Sequence, residues 1–119
     1  MTTLPTLTGL AIALAAAAAA AAPAHDYPTS DRVLYVQDCM KGHPGPYFEM
    51  VNKCSCAIDF IADAASHDEF VAMQTSMNAI TIAGEGGGVF RDNPEVKAGI
   101  QRYKVLQAKA LKACFIGPP

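Results

Sequence analysis

Tyr47-Phe48-Glu49-Met50-Val51-Asn52-Lys53-Cys54-Ser55-Cys56-Ala57-Ile58-Asp59-Phe60-Ile61-Ala62-Asp63-Ala64-Ala65 is a run without proline or glycine in which apolar residues recur at three- and four-residue steps. Tyr47, Val51, Cys54, Ile58, Ile61 and Ala65 draw one stripe along a helix, and Cys56, Phe60 and Ala64 draw a second on another side. Two stripes predict a central helix packed on both flanks. Pro46 suits its first position, and the pattern runs out at about Ala65. Cys54 and Cys56 diverge by ~200° around such a helix, so they cannot easily bond each other.

The chain has four cysteines, Cys39, Cys54, Cys56 and Cys114. Four cysteines allow three pairings, and the helical divergence of Cys54 and Cys56 weighs against one of them. Each of those two must reach either Cys39 or Cys114. Cys39–Cys54 with Cys56–Cys114 is slightly preferred over the swapped pairing, because Cys54 and Cys114 lie on the stronger apolar stripes. By the chain-entropy model the shorter bridge contributes about 3 kcal/mol and the longer about 4. For so small a domain that is a large share of total stability.

Outward from the central segment, the expected fold class is all-α: a small disulfide-crosslinked bundle of about four helices. Thr29-Ser30-Asp31 opens a first helix through Met40, ended by Gly42, although Val33-Leu34-Tyr35-Val36 also suits a strand. His43-Pro44-Gly45-Pro46 is a turn. Ser66 and Glu69 have the spacing of a capping box. The helix it opens presents Phe70, Met73, Met77 and Ile80 on one face. The glycines from Gly84 to Gly88 stop that helix and read as a flexible connection. Asn93-Pro94 is an N-cap and N1 pair for the last helix, whose inner face carries Ile100, Tyr103, Leu106, Ala110 and Cys114. Gly117-Pro118-Pro119 follows it. Basic residues concentrate in this last helix (Lys97, Arg102, Lys104, Lys109, Lys112). Acids concentrate in the central helix and the start of the third (Glu49, Asp59, Asp63, Asp68, Glu69), so these elements are expected to pair.

Residues 11–22 are almost pure alanine, and Ala22-Pro23-Ala24 closes the run. That pattern predicts a signal peptide over residues 1–24, cleaved after Ala24, and a single helical domain over 25–119. No Lys or Arg precedes the apolar core, which is unusual for a leader. An even cysteine count in a short exported chain reads as a disulfide framework, and the expected location is periplasmic or secreted. The apolar share of 51% is inflated by the leader. No later segment approaches the ~20 apolar residues of a bilayer span. A net charge of −2 argues against nucleic acid as partner, since phosphate binding needs a basic surplus.

Cys54-Ser55-Cys56 is the most suggestive short string. A dithiol one residue apart can exchange thiols or hold Cu(I), but two further cysteines on apolar faces favour structural half-cystines. A copper site would recruit His25, His43 and His67 with Met40, Met50, Met73 and Met77. Met73 and Met77 also read as helix core, and His67 falls where a first-turn residue is solvated. No Cys-x-x-Cys-His is present for covalent haem. The glycine run lacks the Lys-Ser/Thr of a phosphate loop. Neither a Gly-x-Ser-x-Gly nor a His-Glu-x-x-His motif occurs, so no catalytic residues are assigned and no cofactor or resident metal is expected. Phe90-Arg91, after the glycines, has the composition of a protein contact point, with Glu85 included in the candidate surface. If Glu85 pairs with Arg91 instead, the feature becomes an internal clasp.

Asn52-Lys53-Cys54-Ser55-Cys56-Ala57-Ile58-Asp59 and Ile61-Ala62, then Asp68-Glu69-Phe70, Gly84-Glu85 with Gly88, Phe90-Arg91, and Gln107-Ala108 leading to Ala113-Cys114-Phe115, carry a resemblance across nearly the whole of residues 25–119. Together they resemble a family of small exported four-cysteine proteins of proteobacteria associated with periplasmic quinoprotein (PQQ-dependent) alcohol oxidation systems. The resemblance implies no catalytic residues. The absence of a catalytic constellation, with a crosslinked scaffold presenting a Gly-rich, Phe-Arg loop, leads to the expectation of a non-enzymatic accessory or protein-binding module, monomeric or weakly associating. The resemblance adds a periplasmic quinoprotein dehydrogenase as the system it would serve. Two other classes stay open from the residues: a Cu(I)-handling or thiol-exchange protein using Cys54 and Cys56, and an inhibitor or immunity protein for a secreted toxin.

Overall fold

The computed structural model describes residues 26–118. The expected leader, its cleavage point and His25 lie outside the described residues. Five helices follow in order: α1 (Thr29–Gly42), α2 (Tyr47–Ala64), α3 (His67–Ala79), α4 (Gly84–Asp92) and α5 (Pro94–Ala113), with no strand among the described residues. Helix α5 packs on α2, α3 and α4, and α2 packs on α1 and α5. The centre of the bundle is therefore shared by α2 and α5.

Val33–Val36 is helical, and the burial pattern explains why. Tyr35 and Cys39, one turn apart, both face the core, whereas Val33 is 47% exposed. A strand would have put Val33 and Tyr35 on one face. Along α2 the buried arc is Met50, Cys54, Ala57, Ile58 and Ile61. This shifts the expected stripe: Tyr47 points outward and Met50 takes its place inside, under Gly45. The second stripe is not a buried flank, since Cys56 and Ala64 are exposed and Phe60 half-buried. Pro46 is the N-cap rather than the first helical residue, because its ψ of 130° is still extended.

Helix α3 opens on a reciprocated capping box: Glu69 N–H donates to Ser66 Oγ at 3.2 Å, and Ser66 N–H donates to Glu69 Oε2 at 2.9 Å. Asn93 Oδ1 caps α5 by accepting from the Glu95 and Val96 amides, with Pro94 next. Helix α5 ends in a Schellman motif. Ile116 N–H donates to Leu111 O and Phe115 N–H to Lys112 O, with Phe115 at φ 57°. Glycine is the usual residue at that left-handed position; here it is a phenylalanine.

The glycine-rich segment corrects the expectation of a flexible connector, for it is helix α4. Gly84, at φ +79°, turns the chain after α3. A Cβ on Gly87 would overlap the Ile82 carbonyl oxygen, so the small residue lets α4 close onto the preceding turn. Glycine disfavours a helix by ~1 kcal/mol per residue, and packing on α3 and α5 supplies the compensation.

Both disulfides follow the preferred pairing. Cys39–Cys54 joins α1 to α2, and Cys56–Cys114 joins α2 to the end of α5. Among the acids, Glu69 meets Arg102 of α5 at 3.5 Å, as expected. Asp59 instead pairs with Arg32 of α1, and Glu49 with Lys53 within α2.

Candidate functional site

The outer surface of this crosslinked bundle carries aromatic side chains that the core does not use. Phe48 is 80% exposed and Phe115 83%. Phe48 sits on the side of α2 away from the buried arc, its ring edge-on to that of Tyr47 at 5.5 Å. Tyr47 and Val51 continue into a groove of about 730 Å³ between α1 and α2, walled on the α1 side by Val33, Val36 and Met40. The Arg32–Asp59 ion pair lies along the same groove. Phe115 follows Cys114 directly, so the Cys56–Cys114 bridge pins it to α2. Its neighbour Ile116 turns inward and is buried. The two phenylalanines are thus presented from elements tied together by covalent bonds.

Of the residues singled out from sequence, Phe90 is 41% exposed and Val89 beside it 70%. Arg91 turns back along its own helix. Its Nη1 donates to Ile82 O at 2.9 Å and its Nη2 donates to Gly84 O at 3.3 Å. The clasp considered for this segment exists, but with backbone carbonyls as acceptors instead of Glu85. Glu85 stays exposed in the first turn of α4, where a carboxylate suits the helix dipole. Tyr47, Phe48 and Phe115 were missed by the sequence reading. Phe48 could have been found as the large apolar residue lying on neither stripe of α2.

Cys54 and Cys56 are spent in separate disulfides, and no cysteine is free. Cys54 has no exposed surface. Met50 and Met73 are core residues, and His43 lies at the α1–α2 turn. Among the described residues no three His, Cys, Asp or Glu side chains converge as metal ligands would.

His67 departs from the solvated position expected for it. Its Nε2–H donates to Asp31 Oδ2 at 2.7 Å, and its ring stands edge-on to Tyr27 at 5.3 Å. Its backbone amide donates to the Asp26 carboxylate. Tyr27 is buried, and its hydroxyl donates to Ala65 O at 2.9 Å. Burial first, then the charges of Asp26 and Glu69, push the Tyr27 phenol up to about 12, so it remains a hydrogen-bond donor at any physiological pH. This cluster straps the segment ahead of α1 onto the α2–α3 corner. Its groups are satisfied by one another, as structural groups are.

No protein-family model, no curated protein and no solved structure matches the chain.

Proposed function

We propose that the chain is a non-enzymatic accessory module of the periplasm that works by binding a protein, and that its partner is a quinoprotein dehydrogenase. The observation that carries the binding reading is the pair Phe48 and Phe115, each at least four-fifths exposed on a disulfide-locked scaffold. Two such rings left in water forgo about 2 kcal/mol each of burial free energy, which an interface would recover. Covalent locking lowers the ordering cost of that interface, because the helices are already in place. Val89 and Phe90 of α4, with Glu85 at its start, form a second exposed patch beside the N-terminal end of α5, away from Phe115 at the other end of that helix. Arg91 supports it from behind through its carbonyl clasp. The export assignment is supported by the Ala-rich leader and by two disulfides in so short a chain. The choice of partner is supported by the resemblance carried on Cys54-Ser55-Cys56 and on the stretch from Glu85 to Arg91.

The test is biolayer interferometry of the oxidised protein against a purified quinoprotein alcohol dehydrogenase, with serum albumin as control. Saturable binding to the dehydrogenase alone is the expected result. Equal or no binding to both would overturn the choice of partner.

A further inference from the structure

A second concavity lies on the opposite side of α1 from the apolar groove. It is a half-open cleft of about 470 Å³ between α1, α3 and α5, a volume within the range of small-molecule sites. Its chemistry differs from that of the rest of the surface. Tyr35 of α1 and Tyr103 of α5 both line it; Tyr35 donates to Gln107 Oε1 at 2.8 Å, and Gln74 of α3 lines the same cleft. Both phenols are held protonated chiefly by burial, and the nearby Asp38 charge acts in the same direction on Tyr103. Asp38 itself supplies a carboxylate on the α1 wall. Leu34 and Met77 supply apolar wall on either side. Among the described residues that line the cleft there is no lysine or arginine.

We propose that this cleft binds a primary alkylammonium group, with the cation held between the Asp38 carboxylate and the tyrosine oxygens and its alkyl stem against Leu34 and Met77. A carboxylate beside neutral oxygen acceptors and aromatic rings, paired in the free protein only with an exposed lysine on the rim, matches an ammonium's three donors and its charge. The cleft would repel a carboxylate or phosphate. The nearest competitor is Lys41, whose Nζ lies 3.2 Å from Asp38 Oδ1 on the outer rim. Both side chains of that pair are more than three-quarters exposed, so it is weak and readily exchanged. Asp31, further along the wall, is engaged by His67 and is not counted as a ligand. This site is separate from the Phe48 and Phe115 surface, and the proposal stands whether or not the protein has a dehydrogenase partner.

The experiment is a titration of the full oxidised chain with n-butylammonium, followed by amide chemical shifts in NMR, with 1-butanol and butyrate as neutral and anionic comparators. The expected result is saturable shifts confined to residues around Tyr35, Gln74 and Tyr103 for the ammonium only. Asp38→Asn should weaken binding by about tenfold or more, the loss expected of a charge-assisted hydrogen bond. Lys41→Ala should tighten it, and Asp59→Asn, in the other groove, should leave it unchanged. Both Asp38 and Lys41 are exposed enough that circular dichroism should show the variants folded. Nα-acetyl-lysine amide separates two sources of the same chemistry. Tighter binding than n-butylammonium assigns the cleft to a lysine side chain of another protein; weaker binding assigns it to a free amine. Equal affinity for 1-butanol, or an Asp38→Asn variant that binds as the wild type does, would overturn the proposal.

Discussion

Tyr27 donates its hydroxyl to the backbone carbonyl of Ala65 across 38 residues of sequence, at 2.9 Å. Ala65 ends α2, so its carbonyl would otherwise be a buried acceptor at the corner where the chain turns into α3. The tyrosine ring also packs against Phe70 and under Arg32. Replacing Tyr27 with phenylalanine keeps the ring and removes the donor. The expected cost is about 1–2 kcal/mol, read as a lower denaturation midpoint with an unchanged m-value.

The same bond sets an alkaline limit. The folded-state pKa of Tyr27 is raised from 10.0 to about 12, so the folded protein holds that proton more tightly than the unfolded chain does. The stabilisation is complete below pH 10 and is lost as the pH rises from there through about 12. Tyr35 and Tyr103, raised by burial, act in the same direction. At the acid end the sign reverses. The Ser66 amide holds Glu69 below the usual carboxylate range, so its contribution is present above the unfolded value and disappears as the pH falls through the folded one. Thermal melts from pH 3 to pH 12, with tyrosinate absorbance followed in parallel, should show a plateau at neutral pH. Ionisation of all the tyrosines near pH 10 without unfolding would contradict this assignment.

Helix α4 makes a two-sided prediction. Gly86 has open space where a Cβ would go, whereas Gly87 faces the Ile82 carbonyl. Gly86→Ala should stabilise by up to about 1 kcal/mol through helix propensity. Gly87→Ala should destabilise by about 2 kcal/mol, because backbone must move. Were the segment a loose connector, both changes would be small and alike.

The Ser66–Glu69 capping box, the Asn93-Pro94 start and the preferred cysteine pairing were all legible in the sequence, since each rests on residues close along one helix or on its periodicity. Four features were not. Helix α4 was hidden because four glycines, Gly84 and Gly86 to Gly88, are held helical by contacts from Ile82, Arg91 and α5. The exchange of Tyr47 for Met50 in the core depends on where α1 ends and the turn at Gly45 passes over α2. His67 lies in a site made by Tyr27 and Asp31, which no local pattern connects to it. The exposed aromatics were obscured for the same reason: a stripe identifies what a helix can bury, not what its neighbours leave uncovered.

The two disulfides should open in order. Cys39 and Cys54 are both buried, whereas Cys56 is exposed. A reductant meets Cys56 first, so mild dithiothreitol followed by alkylation should label Cys56 and Cys114 before Cys39 and Cys54. Loss of the longer bridge removes about 4 kcal/mol by the chain-entropy model and releases Phe115 from α2. Labelling of all four cysteines together at the lowest reductant would contradict the difference in access.

Phe115 offers the most direct test of the binding account. Its left-handed backbone costs a non-glycine residue about 1 kcal/mol, and its ring is 83% exposed, so the core gains little from it. Phe115→Gly should therefore raise thermal stability by about 1 kcal/mol while lowering affinity for the quinoprotein dehydrogenase by about tenfold or more, with Phe48→Ala lowering affinity alone. Stability and affinity moving in opposite directions for one substitution is the result predicted. A Phe115→Gly protein that is more stable and binds the dehydrogenase as tightly as the wild type would contradict the claim that this surface is held out for a partner.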